Sequence, residues 1–413
     1  MMLPRFNIAG MHKWDLPASK SLSNRWLVAN FLCGGKIELK NVSTAEDTVL
    51  MINLLQQLKE GQNHIFQCFN AGTVARFMTA LLSVTPGSHV LTCSQRMKER
   101  PMTELIDALR SMGAKIRCLE SGGHLPVAID GRRLRGGEVL LSGNTSSQFA
   151  SALLLVAPKM INPLTLKFGQ NSVSYPYISM TCEVLRTCGH DVLQQPLQIS
   201  VMPATDVHTF SVVVENDWSS AAYAYNLVAF SPNLSLVLPG LKLPSWQGDS
   251  VATSWYHAIG VETQFQNNGI VLTNNGLPKK SPLVFHCSDN PDLVPPLAVA
   301  CAGLGLDAEF VGLQTLRYKE SDRLTALATE LQRLGCQCVV NSDSLHILPS
   351  QLLINQSGNE KQPHTINTYG DHRLAMSFAT LACIFDGLQI DNPDVAAKSF
   401  PNFFWQMLKI KQL

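Results

Sequence analysis

Leu16–Arg25 reads LPASKSLSNR and sets two cations, Lys20 and Arg25, among Ser19, Ser21 and Ser23. Pro17 stiffens the approach and the apolar run Trp26–Ala29 follows, so the stretch predicts a turn feeding a helix capped by a serine or by Asn24. The first turn of a helix has free N–H groups and a partial positive charge. Lysine, arginine and hydroxyls added there make a receptor for phosphate or carboxylate, although a plain capped surface helix uses the same residue types. Related stretches recur. Asn70–Arg76, NAGTVAR, offers close approach at Gly72 and a helix cap in Thr73. Gln95–Pro101, QRMKERP, would turn Arg96, Lys98 and Arg100 to one side if extended, so acids, solvent or an anion must answer three cations. Asn144–Phe149, NTSSQF, places Ser146, Ser147 and Gln148 at the start of an apolar helix, and Ser174–Tyr177, SYPY, adds a hydroxyl, a phenol and a rigid turn.

The second half of the chain adds carboxylates. Asp292, in DNPDLVPPLA, begins a buried helix, where an acid is either a favourable cap or an ionised group able to accept a proton. In Leu316–Leu324, LRYKESDRL, helical spacing would put Lys319 and Arg323 on one face. Glu320 and Asp322 could neutralise them, and so could an anionic ligand. Tyr369–Met376, YGDHRLAM, opens another element with Asp371, His372 and Arg373. The histidine reads as structural and the arginine, with its planar fork, as the better anion ligand. Lys398, in KSFPNF, supplies one more cation near the end.

The elements that must position these groups are legible as a repeat. An amphipathic helix, a glycine and an extended run occur in that order around Gly113, Gly189, Gly260 and Gly335. Their spacing of roughly 70–75 residues is far longer than a solenoid repeat. Each glycine stands where a helix C-terminus needs a left-handed residue. Gly61 marks a weaker copy, and FFWQMLKI near the C-terminus could be the helix of another. Runs such as KIELKNV, SHVLTC, GEVLLSG, LTLKFG, FSVVVE and LSLVLPG read as the intervening strands. Several α/β units of one kind, split between two domains, are therefore expected, with a boundary in Val214–Tyr223.

A chain of 413 residues supports more than one domain. Its 32 basic and 31 acidic residues give no basic excess for nucleic acid, and charged residues amount to only 15%. No apolar run approaches a membrane span and the start does not read as a signal peptide, so a cytoplasmic protein is expected. Eleven cysteines without a CxxC pair argue for reduced, buried thiols rather than disulfides or zinc, and Cys336 and Cys338 are poorly spaced for a structural zinc.

Together the stretches from Leu16 to Phe403 resemble the 5-enolpyruvylshikimate-3-phosphate synthase family, with KESDRL and DHRLAM the most specific pair. The resemblance implies an inside-out α/β barrel of two domains, each of three βαβαββ units. The domains would be 1–18 plus 216–413, and 19–215, with a hinge near 18–20 and 214–218. It implies transfer of the enolpyruvyl group of phosphoenolpyruvate to the 5-hydroxyl of shikimate 3-phosphate, with release of phosphate. It also implies a monomer without cofactor or metal, binding neither nucleic acid nor membrane. Lys20, Gly72, Arg100, Gln148, Arg323, Arg373 and Lys398 would hold phosphoenolpyruvate. Lys20, Ser21, Arg25, Ser146, Ser147, Gln148, Ser174, Tyr177, Asp292 and Lys319 would hold shikimate 3-phosphate. Asp292 would be the base near the attacking hydroxyl, and Glu320 or Lys20 would deliver the proton. Carbon–oxygen rather than phosphorus–oxygen bonds change, so no magnesium clamp is needed.

Ala18 and Phe69 stand where the family usually has glycine, and Phe77 where many members have proline. Thr315 stands where some members have asparagine, and no role is carried over to it. The rival readings are the sibling transferase acting on UDP-N-acetylglucosamine and a non-catalytic binder of phosphorylated metabolites. The first uses a cysteine in the loop before the Arg-Pro pair, and no cysteine lies between Ser94 and Arg100 here. Cations drawn from both halves of the chain would also repel one another when empty, so bound anions are expected to let the halves close.

Overall fold

The four glycines that follow amphipathic helices all have left-handed backbones, with φ of 102° at Gly113, 85° at Gly189, 95° at Gly260 and 88° at Gly335. They close helices Thr103–Ser111, Tyr175–Thr187, Ala252–Ala258 and Arg323–Arg333, and each turns the chain into a strand. A side chain in that region meets the following carbonyl, which is why glycine recurs there. The structure, a computed structural model, describes residues 1–61, 63–142, 146–169, 174–204, 207–276, 282–350, 352 and 364–411. Asn144 and Thr145 of the NTSSQF stretch lie outside the described residues.

Each glycine belongs to one copy of the same βαβαββ unit. In the first, Ile65–Gln67 pairs parallel with Gly87–Thr92, which pairs antiparallel with Val127–Gly131, which pairs antiparallel with Lys115–Cys118. The strands thus stand in the order first, second, fourth, third. The unit from Gly137–Leu141 to Gln198–Val201 repeats it, as does the unit from Leu283–His286 to Ser344–Ile347. A fourth copy is split in sequence. Its first strand, Gly10–Lys13, pairs with Leu234–Pro239, and Gly269–Asn274 and Val261–Gln266 complete it. Two sheets are shorter: Ile37–Lys40 with Phe210–Val213, and Met2–Leu3 with Leu388–Ile390 and His364–Ile366. Among the described residues the full βαβαββ order therefore appears four times and two copies are abbreviated.

The chain divides into two compact units, Ser19–Val214, and Met1–Ala18 together with Glu215–Leu413. Each is built on helices that are buried on nearly every side. In the first, Gly72–Val84 and Ser147–Val156 are almost wholly buried. In the second, every residue of Trp218–Phe230 and of His372–Ala379 is buried. The polar stretches picked out from the sequence stand mostly at or just before the N-termini of such helices. No described helix is long and apolar enough to cross a membrane.

Candidate active site

In the Glu215–Leu413 unit the site is built around Asp292. Pro291–Leu293 forms a single tight turn that runs into helix Val294–Gly303. Pro295 and Pro296 sit in the first turn, where the missing N–H groups would have had no helical acceptor. The Asp292 carboxylate accepts from Arg323 Nη1 at 3.0 Å and from Arg373 Nη2 at 2.7 Å, with Lys319 Nζ 3.6 Å away. Arg323, 1% exposed, also donates Nε to Asp371 at 2.8 Å and Nη2 to Glu320 at 2.7 Å. The other Glu320 oxygen lies 3.6 Å from Lys398 Nζ. Lys319, Arg323, Arg373 and Lys398 thus converge with Asp292, Glu320 and Asp371 in one cluster.

Helical spacing is not what brings Lys319 and Arg323 together. A 3-10 turn covers Gln314–Tyr318, Lys319 is extended with φ −83° and ψ −155°, and the next helix starts only at Arg323. Asp322 caps that helix by accepting from Thr325 N at 3.2 Å, and it pairs with Arg317 rather than with Lys319. The two cations meet because both approach Asp292. Arg373 is presented in the same way: Asp371 caps helix His372–Ala379 by accepting from Arg373 N at 2.9 Å. His372 is buried within this helix.

Burial alone would raise the Asp292 pKa, but Arg373, Lys319 and Arg323 outweigh it and hold the carboxyl well below the usual range. The group is ionised at neutral pH. Burial pushes the Lys319 ammonium down against the pull of Asp292. Asp249 is nearby and moves the opposite way. It is fully buried, accepts from Ser219 Oγ and from Asn290 Nδ2, and burial followed by the charge of Asp292 raises its pKa.

In the Ser19–Val214 unit two guanidinium groups meet over Gly72. A Cβ on Gly72 would lie 2.4 Å from Arg76 Nη1 and 2.6 Å from Arg100 Nη1, so only glycine leaves both in place. Both arginines are buried, Arg76 lies over the Phe149 ring, and Arg76 Nη2 donates to the Pro101 carbonyl at 3.1 Å. Among the described residues, Arg100 Nε and Nη1 have no hydrogen-bond partner. The expected alignment of Arg96, Lys98 and Arg100 does not form. Gln95–Lys98 is a short helix, Arg96 pairs with Glu99 and Lys98 with Glu120, and Arg100 alone turns inward. Nor does Thr73 cap the helix: it lies inside Gly72–Val84, with Ala71 at the cap position, and accepts from Gln148 Nε2 at 3.1 Å.

Ser146 caps helix Ser147–Val156, accepting from Gln148 N at 3.4 Å, so Ser146, Ser147 and Gln148 do stand at a helix start. Ser19 caps Lys20–Leu32 by accepting from Leu22 N at 3.3 Å, and Lys20 and Ser21 open that helix. Lys20 Nζ donates to Asp47 at 3.0 Å. Arg25 is buried and wrapped by neutral acceptors: the Ser21 carbonyl, Thr181 Oγ1, Ser151 Oγ and the Tyr177 carbonyl. Its guanidinium also lies over the Phe77 ring, and burial lowers its pKa to about 10. Tyr177 is in the first turn of Tyr175–Thr187, preceded by Ser174 in the left-handed region with φ 58°, so the SYPY turn is the start of a helix. Phe69 likewise has a positive φ, 46°, and is exposed.

A match to the EPSP synthase (3-phosphoshikimate 1-carboxyvinyltransferase) family spans residues 13–407. The chain belongs to this family. A 3-phosphoshikimate 1-carboxyvinyltransferase of Bacteroides fragilis is 39% identical over 395 residues, covering 96% of this chain and 94% of that one. One from Photobacterium profundum is 32% identical, covering 96% of each. The EPSP synthase structure from Acinetobacter baumannii superposes with a TM-score of 0.77 at 22% identity, covering 99% of this chain and 97% of that one, which establishes the shared fold. Phe77 gives Arg25 an aromatic face. Phe69 holds a positive φ that glycine would adopt without strain.

Several residues at these sites had no assigned role in the sequence reading: Arg76, Asp47, Asp249, Asp371, Ser151 and Thr181. Arg76 had a signal, since it stands four residues after Gly72 and so on the same helix face. Asp47, Ser151 and Thr181 had none, because their partners come from distant parts of the chain.

Proposed function

We propose that this chain transfers the enolpyruvyl group of phosphoenolpyruvate to the 5-hydroxyl of shikimate 3-phosphate, releasing phosphate. The observation that carries the proposal is the ionised Asp292 carboxylate held among Arg323, Arg373 and Lys319. A carboxylate so depressed is a weak base while the cations are fully turned on it. When substrate carboxylate and phosphate oxygens engage Arg323, Arg373 and Lys319, their hold on Asp292 falls and its proton affinity rises. The base thus becomes competent when the 5-hydroxyl is present.

The residues that the family resemblance implies for phosphoenolpyruvate are Lys20, Gly72, Arg100, Gln148, Arg323, Arg373 and Lys398. Shikimate 3-phosphate engages Lys20, Ser21, Ser146, Ser147, Gln148, Ser174, Tyr177, Asp292 and Lys319. Arg25 has most of its N–H groups bound internally, so it acts chiefly through its charge and by fixing Tyr177. Protonation of the vinyl carbon, by Glu320 or Lys20, makes the adjacent carbon electrophilic. The hydroxyl adds there as Asp292 takes its proton, and the tetrahedral intermediate then loses phosphate together with a proton of the new methyl group, which returns to the group that delivered it and restores the vinyl double bond. Buried guanidinium groups stabilise the charges throughout.

Phosphate release tests the proposal. It should require both substrates together, stop when either is omitted, and not occur when UDP-N-acetylglucosamine replaces shikimate 3-phosphate. Binding of both substrates without turnover would instead favour a non-catalytic protein.

A further inference from the structure

Cys33, Cys188 and His190 stand in the Ser19–Val214 unit, and none belongs to the motifs above. Their ligand atoms all lie within 4.8 Å of one another. Cys188 is buried, and Cys33 and His190 are half-buried. His190 Nδ1 is buried, and the His190 ring interacts with the Cys33 thiol. Beside the cluster is a cavity of about 190 Å³ lined by Leu32, Cys33, Lys36, Lys159, His190 and Val207.

Both cysteines stand at helix C-termini. Cys33 is the C-cap of Lys20–Leu32 and Cys188 the C-cap of Tyr175–Thr187. The C-terminus of a helix carries partial negative charge, which disfavours a bare thiolate and favours a cation. Two such ends at one cluster do so together. Two sulfurs and an imidazole suit a borderline-soft ion, and zinc takes sulfur at about 2.3 Å and nitrogen at about 2.0 Å in a tetrahedron. Ligand atoms already within 4.8 Å of one another reach those distances through small side-chain movements.

We propose that Cys33, Cys188 and His190 form a zinc site, with the fourth position open to the adjoining cavity. Binding displaces the two thiol protons to solvent and uses a neutral imidazole nitrogen, so the ion's two charges are balanced by two thiolates. The site ties together the C-terminal ends of two helices already joined by Arg25, which reaches from Lys20–Leu32 to Thr181 and the Tyr177 carbonyl.

The test uses the full chain, reduced and stripped of metal, with cobalt(II) as the spectroscopic stand-in. One equivalent should give thiolate charge-transfer absorption and the visible bands of tetrahedral cobalt, and zinc should bleach both. Cys33→Ser and His190→Ala should weaken or abolish the bands, while Cys336→Ser, at the other close cysteine pair, should leave them unchanged. A measurement on the unaltered protein guards against variants that misfold. Zinc should slow alkylation of Cys33, because coordination occupies the sulfur lone pair that would attack the reagent, and leave Cys118 unaffected. The proposal is overturned if no such bands form, if they survive in Cys33→Ser, or if zinc leaves Cys33 alkylation unchanged. It is equally overturned if, exposed to air with oxygen as the oxidant, the chain closes a Cys33–Cys188 disulfide and takes up no metal after re-reduction.

Discussion

Asp292, partly exposed, and Asp249, buried, are neighbouring acids whose surroundings push them in opposite directions. For Asp292 the surrounding cations win over burial, so its stabilising contribution is present above the unfolded carboxyl value near 4 and is lost only as pH falls further, toward its depressed folded value. Asp292→Asn keeps the shape and removes the proposed base. Turnover should fall on the order of 10²–10⁴ while KM for the anionic substrates stays level or drops, because the cations lose a competitor. Steady-state kinetics check this, and near-normal turnover would remove Asp292 from the reaction. For Asp249 burial wins, so its charge opposes folding once pH rises through its elevated value. Asp249→Asn should therefore raise Tm at pH 7, and the gain should disappear by about pH 4, where the unfolded carboxyl is itself protonating. Thermal melts of both proteins across that range decide it, and a gain that does not depend on pH would mean packing rather than charge.

At the scale of elements, the recurring device is a capped helix that begins next to a site residue. Asp322 fixes the start of Arg323–Arg333 through Thr325 N and Thr325 Oγ1, and so fixes the Arg323 side chain. Asp322→Ala should cost about 1 kcal/mol of stability, as lost caps do. It should also raise KM for phosphoenolpyruvate, whereas a purely structural cap would leave KM alone. Denaturant titration and kinetics on the same variant separate the two. These elements were unevenly legible in the sequence. Gly113, Gly189, Gly260 and Gly335 announced the repeat because a left-handed C-cap has few residue choices. Arg96, Lys98 and Arg100 were misplaced because four residues of local helix, set by contacts with Glu99 and Glu120, replaced an extended run. Lys319 and Arg323 were rightly paired for the wrong reason: their meeting depends on Asp292, which lies far off in the chain. The cluster of Cys33, Cys188 and His190 carried no spacing signal, since its ligands come from two separate helix ends.

For the molecule as a whole, near-balance of charge hides a local imbalance. With 32 basic and 31 acidic residues the chain has little net field, so changes of ionic strength alone should move its stability little. Buried groups behave otherwise. Arg100 is 7% exposed, and its Nε and Nη1 lack hydrogen-bond partners among the described residues, which leaves an unfavourable desolvation uncompensated. An anion that enters beside it binds the folded chain and not the unfolded one. Inorganic phosphate should therefore raise Tm in a saturable way, contributing about 2.7 kcal/mol at a hundred times its Kd. Sodium chloride at equal ionic strength should contribute far less. Arg100→Ala should abolish most of the phosphate effect while raising the phosphate-free Tm or leaving it unchanged, because the side chain that needs the anion is gone. Differential scanning calorimetry of the two proteins in both salts measures all four conditions. A phosphate shift undiminished in Arg100→Ala would mean that the anion site lies elsewhere and that Arg100 does not hold the phosphoryl or carboxylate group assigned to it.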